Sequence, residues 1–221
     1  MEIRWYGHAC FRIATEAASI ITDPYDPSIG IAPREPLESD IVTVSHGHYD
    51  HNNVGLVRGA PLVISTPGEH LPQSCSGCRI FGMSTYHDED AGAKRGQNTV
   101  FLIEIDSARV CHLGDLGHVL NSAQIERLKP IDILLVPVGG TYTLDAHAAA
   151  SLVRALSPRI AVPMHYAIPG LKISIDPVDR FLEEMNASDA ERVEALSFVR
   201  DEKTRESKPL TQIVVMNPII K

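Results

Sequence analysis

Three histidines and one aspartate follow an apolar run in the stretch VTVSHGHYDHNN, which covers residues 42–53. If the run is a buried strand that stays extended, the side chains of His46 and His48 project to the same side, because strand side chains alternate with a period of two. Asp50 and His51 follow where the chain must turn, so their side chains can reach a second point nearby. Imidazole and carboxylate groups are ligands that zinc and similar borderline metals prefer. The stretch therefore predicts a metal site.

A solvated loop that happens to be rich in histidine is the alternative interpretation of this stretch. Crowding three imidazoles beside a carboxylate with no metal would cause mutual repulsion whenever the imidazoles are protonated. An ordinary loop has no need of such a cluster, so we favour the metal site.

Further candidate ligands occur far along the chain, each directly after a β-like run: His87, Asp115 and His165. Loops at strand ends build the functional sites of layered α/β folds, so residues this distant in sequence can meet there. His70 also follows a strand and is the rival of His87. A Pro-Gly turn precedes His70, and we expect it at the surface.

The elements that must position these residues are mostly short strands. Runs typical of strands recur from the first residue, namely EIRWYG, CFRIAT, SIITDP, DIVTVS, PLVISTP, RIFGMSTY, TVFLIEI, ARVCHLG, IDILLVPV, RIAVPMHY and TQIVVMN. Helical periodicity occurs at residues 121–129, 143–156 and 176–186, with a shorter candidate at NNVGLVRG. Residues 187–208 are polar and predict part helix and part loop, with no assigned function. Several strands with interspersed helices indicate a layered α/β architecture.

Length and composition limit the class of protein. A chain of 221 residues is long enough for one large α/β domain, so we expect residues 1–221 to form a single domain. With 44% hydrophobic residues and no apolar run near the roughly 20 residues of a membrane span, the chain is expected to be soluble. Its first residues lack the basic and apolar regions of a secretory signal, which predicts a cytoplasmic protein.

The net charge of the chain helps to predict its binding partners. The net charge of −8 provides no general attraction for a polyanion, so nucleic acid is not an expected partner. A small-molecule substrate is the partner that we expect. The sequence leaves the oligomeric state open, a homo-oligomer included.

The combined motif set resembles the metallo-β-lactamase superfamily of binuclear metallohydrolases, and it consists of His46-x-His48-x-Asp50-His51, His87, Asp115 in a GD turn and His165. The segments WYGHACFRI, IITDPYD, HLGDLGH and PVGGTYT with PMHY resemble, more narrowly, the branch around L-ascorbate-6-phosphate lactonase. The resemblance covers roughly residues 3–170. It implies a four-layer αββα sandwich, with two mixed sheets back to back and helices outside.

The family pattern also implies two divalent metal ions, each with three ligands of its own and one shared carboxylate. The implied ligands are His46, His48 and His87 for the first ion, Asp50, His51 and His165 for the second, and Asp115 as the bridge. Zinc is the metal that we expect, and manganese and iron are alternatives that such ligands accept.

The activity implied by this resemblance is hydrolysis of a small substrate such as a lactone, an ester or a phosphodiester. A metal-bridging hydroxide attacks a carbonyl or phosphoryl centre, and Asp50 and Asp115 are the catalytic carboxylates, with Asp50 orienting the hydroxide. The alternative is a metal-binding protein of the same fold with a non-catalytic regulatory or assembly role.

Six further residues are candidates for supporting the ligands or contacting the substrate: His8, Asp23, Arg95, Asn98, His112 and His118. Metal ligands commonly need outer partners that fix their orientation. Arg95 and the preceding Lys94 occupy a Gly-rich loop beside the predicted site, and they would favour a phosphate- or carboxylate-bearing substrate. The ordinary alternative for each is a core, turn or solvated residue with no part in the site.

The cysteines predict free thiols, because no secretory signal accompanies them. Cys75 and Cys78 form a single CxxC, whereas a zinc site would need two more ligands. The Ser-Gly pair between them predicts a two-residue hairpin turn. We assign these two thiols no role.

Overall fold

The structure is a computed structural model that describes residues 1–75, 77–200 and 210–221. The strands among these residues are β1 (Glu2–Trp5), β2 (Phe11–Ala14), β3 (Ser19–Thr22), β4 (Leu37–Glu38), β5 (Ile41–Thr43), β6 (Val57–Arg58), β7 (Leu62–Ile64), β8 (Gly68–His70), β9 (Arg79–Tyr86), β10 (Gln97–Ile105), β11 (Ala108–His112), β12 (Ile133–Pro137), β13 (Ile160–Met164), β14 (Glu191–Val193), β15 (Ala195–Ser197) and β16 (Gln212–Met216). The α-helices are α1 (Ser122–Leu128), α2 (Ala146–Leu156) and α3 (Asp179–Glu184).

The strands form two large mixed sheets and a small parallel pair of β4 with β6. The first large sheet has the order β15-β1-β2-β3-β5-β7, and the second has the order β14-β16-β13-β12-β11-β10-β9-β8. The segment after α3 contributes to both, since β15 pairs with β1 and β16 pairs with β13. This segment therefore joins both sheets, and a single domain over residues 1–221 stays a prediction.

Apolar side chains from the two large sheets pack into one buried cluster. It contains Phe11 and Ile20 from the first sheet and Phe101, Val110 and Leu135 from the second. Removing such side chains from water stabilises the fold by about 25 cal/mol per Å² of apolar surface. The two sheets therefore lie face to face and form the central layers of the molecule.

Helices cover the outer face of the second sheet. Asp145 begins α2 by accepting a 2.8 Å hydrogen bond from the backbone N–H of Ala148. The buried face of α2 includes Ala149, Val153 and Leu156, and this helix contacts β12. The predicted α/β sandwich of the metallo-β-lactamase type is confirmed.

The outer face of the first sheet is covered mainly by loops and short 3-10 turns. Pro27–Ile29 and Val54–Leu56 form such turns, and Ile29 packs with Val42 in a second apolar cluster. Pro24, Pro27, Pro33 and Pro36 break up the segment before β4, because proline lacks the N–H that a continuing helix needs. This outer layer is therefore thinner than the helical one.

The strand predictions and the helices over 121–129 and 143–156 are confirmed. The short helix over NNVGLVRG is wrong, because this segment forms a 3-10 turn followed by β6. The predicted helix over 176–186 shortens to α3. The expected partial helix in 187–208 is wrong for its described part, where β14 and β15 form because sheet partners override the polar composition.

Cys75 and Cys78 do not flank a two-residue hairpin. β8 ends at His70 and β9 begins at Arg79, so eight residues connect them, and Ser76 and residues 201–208 lie outside the described residues. All four cysteines are free, as predicted.

The longest α-helix in the described part of the chain has 11 residues. No helix there is both long enough and apolar enough to cross a membrane.

Candidate metal centre

The site forms where loops meet at the carboxyl ends of strands. β9 and β11 both run antiparallel to β10, and β13 joins this sheet in parallel through β12, so β9, β11 and β13 end at the same edge. His87 and His165 each follow their strand directly, and Asp115 lies three residues after β11. The His46–His51 segment follows β5 of the facing sheet. The two sheets thus bring the predicted ligands to one end of the sandwich.

The first cluster, which we call the open group, contains His46, His48 and His87. His46 Nε2 lies 3.1 Å from His48 Nδ1, and the ring of His87 is centred 4.8 Å from that of His46. β5 ends at Thr43, and the chain bends at residues 45–48. The extended strand that we predicted is therefore wrong at this point, and a bend makes the two imidazoles converge.

The second cluster, which we call the buried group, contains His8, Asp50, His51 and His165. Asp50 Oδ2 lies 3.2 Å from His8 Nε2 and 3.7 Å from His51 Nε2. The rings of His8 and His165 are centred 4.2 Å apart. Within each group, one ligand atom per residue lies within 4.8 Å of all the others.

Asp115 lies between the two groups. Its Oδ2 atom is 3.2 Å from the Nε2 atoms of both His51 and His87, and 3.3 Å from Nε2 of His165. One carboxylate oxygen therefore contacts the open group and the buried group at once. This geometry supports the prediction of a bridging role for Asp115.

Asp23 holds ligands from beneath the site. Its Oδ2 atom lies 2.9 Å from His51 Nδ1 and accepts a hydrogen bond from the Ser45 hydroxyl at 2.5 Å, while Oδ1 accepts the Ser45 backbone N–H at 2.7 Å. The same hydroxyl lies 2.9 Å from His46 Nδ1. One buried carboxylate thus orients His51 directly and His46 through Ser45. Such outer contacts fix ring orientation and raise ligand basicity.

Asn98 fixes the backbone that carries Asp115. Its side-chain oxygen accepts the N–H of Asp115 at 2.9 Å, and its amide donates to the Thr85 hydroxyl and the Leu113 carbonyl. His112 is buried with Nε2 2.9 Å from the carbonyl of Ala9. Both residues lie beneath the site and do not contact the ligand atoms.

Two of the predicted supporting residues, and the rival histidine His70, also lie outside both groups. His118 packs against the ring of Tyr86, with ring centres 5.6 Å apart, and Arg95 bonds to the carbonyl of Thr141. His70 lies in β8 with Nε2 2.9 Å from the carbonyl of Thr66. The structure therefore brings His87, and not its rival His70, to the cluster.

Burial and charge set the protonation of the imidazoles. Burial lowers the pKa of His46 to about 3 and that of His8 to about 4, which keeps both rings neutral, the form that binds metals. Burial also opposes charge on His51, but the carboxylates of Asp115 and Asp23 outweigh it and raise the pKa well above its usual value. The surroundings of His51 Nε2 therefore favour a positive charge, carried by a proton or by a metal cation.

The donors fit a divalent cation. Asp115 Oδ1 is buried and has no hydrogen-bond partner among the described residues, and His51 Nε2 has only ionic contacts, at 3.2 Å with Asp115 Oδ2 and at 3.7 Å with Asp50 Oδ2. An unpaired buried polar atom costs about 1–3 kcal/mol, whereas coordination would satisfy it. Imidazole nitrogen with carboxylate oxygen is a donor set for zinc, manganese or iron. The described residues thus form a candidate metal site, and they leave the number and identity of the ions to be measured.

Sequence reasoning missed how closely two residues approach the site. His8 was predicted only as a supporting residue, yet it lies among the candidate ligands, and it follows the β-like run EIRWYG as the other ligands follow theirs. That signal could have identified it. Ser45 was not predicted at all, because its contact with Asp23 depends on the pairing of β3 with β5.

Residues 2–165 match the family model of the β-lactamase superfamily domain. A UPF0173 metal-dependent hydrolase of Pyrobaculum arsenaticum is 28% identical over 75% of this chain and 84% of its own length. A UPF0173 protein of Pyrococcus abyssi is 34% identical over 77% of this chain and 85% of its own.

A solved structure from Thermotoga maritima, described as a Zn-dependent hydrolase of the metallo-β-lactamase superfamily, superposes with a TM-score of 0.77 at 40% identity. The superposition covers 97% of each chain. The narrower likeness to the L-ascorbate-6-phosphate lactonase branch stays a prediction. The chain belongs to the metallo-β-lactamase superfamily and is a metal-dependent hydrolase.

Proposed function

We propose that this protein is a binuclear hydrolase, with one divalent cation in the open group and one in the buried group. The observation that carries the proposal is the position of Asp115 Oδ2, within 3.3 Å of imidazole nitrogens from both groups. Asp115 would then be the shared ligand, and His46, His48 and His87 would complete the first set. Asp50, His51 and His165 would complete the second.

Two cations held in this way would supply a hydroxide nucleophile near neutral pH and polarise the attacked oxygen of the substrate. The chain's own residues do the rest. Asp23 and Ser45 keep His51 and His46 oriented, and Asn98 keeps the backbone of Asp115 in place. This rigid support limits the reorganisation that the site must undergo during reaction.

Asp50 is the residue that we assign to proton transfer. Its side chain is 16% exposed, more than the other candidate carboxylates Asp23 and Asp115. Burial opposes its charge, but the contact with His8 and the charge of His51 lower its pKa below the ordinary range. The carboxylate is thus ionised at neutral pH and can accept a hydrogen bond from the attacking water, and cations that lower the pKa of this water would make transfer of its proton to Asp50 possible.

The substrate that we propose is a small lactone, ester or phosphodiester, attacked at its carbonyl or phosphoryl centre. Zinc is our proposed metal, and the description of the Thermotoga maritima structure as Zn-dependent supports this choice. Manganese and iron remain alternatives, because the same donor set accepts them.

Metal analysis of the purified protein tests the proposal, together with hydrolysis of a lactone, an ester and a phosphodiester panel. We expect two equivalents of metal, and one equivalent with little activity after His48→Ala. The matched control is His147→Ala, because His147 is exposed on α2 and contacts Glu184 far from the ligands. One equivalent of metal or less in the unaltered protein would refute the binuclear proposal.

A different set of results would indicate a non-catalytic role. A protein that binds two equivalents and hydrolyses no member of the panel in any metal form would favour a regulatory or assembly role for the same site. A loss of activity in His147→Ala equal to that in His48→Ala would show that the effect is not specific to the site.

A further inference from the structure

We propose that Arg95 forms a subsite for an anionic group of the substrate, a carboxylate or a phosphate, beside the metal centre. The inference rests on the proposed function and deepens it by naming a charge that the substrate carries. Four observations support it: the position of the loop that carries Arg95, the rigidity of that loop, the contacts of the guanidinium group and its lack of a carboxylate partner.

The loop of residues 88–96 begins directly after His87 and returns to it. The backbone N–H of His87 donates to the carbonyl of Gly96 at 3.1 Å, which closes the base of the loop. The next pair in the ladder joins Tyr86 to Gln97. Arg95 is therefore one residue from a backbone contact with a candidate metal ligand.

A buried carboxylate keeps this loop rigid. Asp88 is 4% exposed, and its oxygens accept backbone N–H groups from Asp90, Gly92, Lys94 and Arg95 at 2.7–3.0 Å. Each bond fixes part of the turn without help from a partner outside the loop. The backbone of Arg95 is therefore positioned before any ligand arrives, which reduces the entropy cost of binding.

The side chain of Arg95 reaches across to a second loop of the site. Its Nη2 atom donates to the carbonyl of Thr141 at 3.1 Å, and the guanidinium carbon lies 5.4 Å from the centre of the Tyr142 ring. A side chain at Gly139 would overlap the carbonyl oxygen of His165, so the two backbones are in contact there. Arg95 thus links the loop after His87 to the loop beside His165.

The guanidinium group carries a charge that the protein leaves without a carboxylate. In the described part of the chain, no carboxylate oxygen lies within 4.0 Å of the guanidinium nitrogens of Arg95, although Asp88 binds its backbone N–H, whereas the neighbouring Lys94 pairs with Asp90 at 2.5 Å. One N–H of Arg95 is used by Thr141, and the planar group has further N–H donors. A fixed guanidinium with free donors suits a carboxylate or phosphate, which it can bind through two parallel hydrogen bonds.

Binding of small anions to the metal-loaded protein tests this subsite, with calorimetry as the readout. Acetate probes the metals alone, whereas glutarate and 3-phosphonopropionate carry a second anionic group for Arg95 to bind. We expect the two longer probes to bind roughly 10- to 150-fold more tightly than acetate, the ratio that one charge-assisted interaction provides. The stronger of the two probes identifies the preferred anion.

Arg95→Ala should remove the advantage of the longer probes and leave the affinity for acetate unchanged. Arg95→Lys keeps the charge without the planar donor pair, so it should retain a part of the advantage. The control is Lys94→Ala, which should behave like the unaltered protein because Lys94 is already paired. An unchanged thermal unfolding temperature shows that each variant is folded.

Two results would overturn the subsite. In one, the unaltered protein binds glutarate and 3-phosphonopropionate no more tightly than acetate. In the other, Arg95→Ala weakens all three probes equally, which assigns Arg95 to loop structure. The proposed function fails separately: a protein that binds the longer probes through Arg95 but hydrolyses no lactone, ester or phosphodiester keeps the subsite and refutes the hydrolytic mechanism.

Discussion

The open group and the buried group contain the same kinds of side chain in different surroundings. His48 of the open group is exposed and His46 is only partly buried, whereas the third member, His87, is buried. In the buried group, His8 and His51 are fully enclosed and His165 is 1% exposed. The buried group is also the one that Asp23 contacts directly. The two halves of the centre therefore differ in how far they depend on the folded core.

This difference separates two tasks within one centre. Ligands enclosed in the core keep fixed positions, because neighbouring side chains and Asp23 hold their rings. Ligands at the surface leave room for a substrate to approach, and little of the fold depends on them. We infer that the buried group anchors the centre and that the open group faces the substrate.

We expect Asp115→Ala to lower activity more than the other variants, because Asp115 contacts both the open group and the buried group. Without this carboxylate, His51, His87 and His165 lose the anion that lies among them. Changes to residues that only orient a ligand cost about 10- to 100-fold, so loss of a shared ligand should lower hydrolysis by more than about 100-fold. Metal content, measured by atomic emission, should fall in both groups.

The control for this variant is Asp189→Ala, since Asp189 is exposed and lies outside the site. Retention of two equivalents of metal by Asp115→Ala would contradict the shared role.

Asp23→Ala tests the two groups separately, because it should affect mainly the buried group. Removing this carboxylate leaves the hydroxyl and N–H of Ser45 and one ring nitrogen of His51 without their acceptor. We expect a loss of about 3 kcal/mol in the free energy of unfolding and about 10- to 100-fold weaker metal binding in the buried group. Denaturant unfolding of the metal-free protein measures the first effect, and metal titration measures the second. A stability equal to that of an exposed-site variant such as Glu16→Ala would be inconsistent with this support.

A pair of histidine variants compares how far the free energy of unfolding depends on each group, and smaller losses are expected here. His48→Ala alters an exposed side chain, so the free energy of unfolding without metal should change by less than about 0.5 kcal/mol. His51→Ala leaves a cavity and unpaired carboxylates in the core, and it should cost about 2–3 kcal/mol. Urea unfolding of both variants gives the comparison. Equal losses would show that the two groups do not differ in their dependence on the core.

Replacing the thiols should have less effect on metal binding than the other substitutions, because we do not expect them to bind metal. Burial raises the pKa of Cys111 to about 12, and burial with a hydrogen bond that the Cys78 thiol donates to Cys75 raises that of Cys78 to about 12. These thiols therefore stay protonated at neutral pH and should react slowly with a disulfide reagent until the protein unfolds. Replacing Cys75 and Cys78 by serine should leave metal stoichiometry unchanged. A lower stoichiometry would assign part of the metal to the thiols.

The sequence allowed the strands and the spacing of the candidate ligands to be predicted, because both depend on local pattern. Each strand run alternates or stays apolar over several residues, and each predicted ligand follows such a run. Contacts between distant segments could not be predicted from the sequence in the same way. The approach of His8 to Asp50 joins the ends of β1 and β5 of the first sheet, and that of Asn98 to Asp115 depends on the pairing of β10 with β11, and no local pattern contains either arrangement.

Some local inferences were wrong for an identifiable reason. The convergence of His46 and His48 was expected from an extended strand, and a bend produces it instead. The Ser-Gly turn signal suggested a two-residue hairpin at the cysteines; the Cys78 N–H does donate to the Cys75 carbonyl at 3.1 Å, but β8 pairs with β9 through His70 opposite Ile80, so this turn lies within a longer connection. In both places, tertiary contacts decide between conformations that the local residues allow equally.

The pairing of β16 with β13 has a consequence for the order in which the centre is assembled during synthesis. β13 carries His165 at its end, and its neighbour on one side, β16, is translated about 50 residues later. The other ligands leave the ribosome before this sheet can be completed. Metal capture by the finished centre is therefore a late event, after most of the chain has been made, and a truncated nascent chain would hold its ligands without the sheet that aligns them.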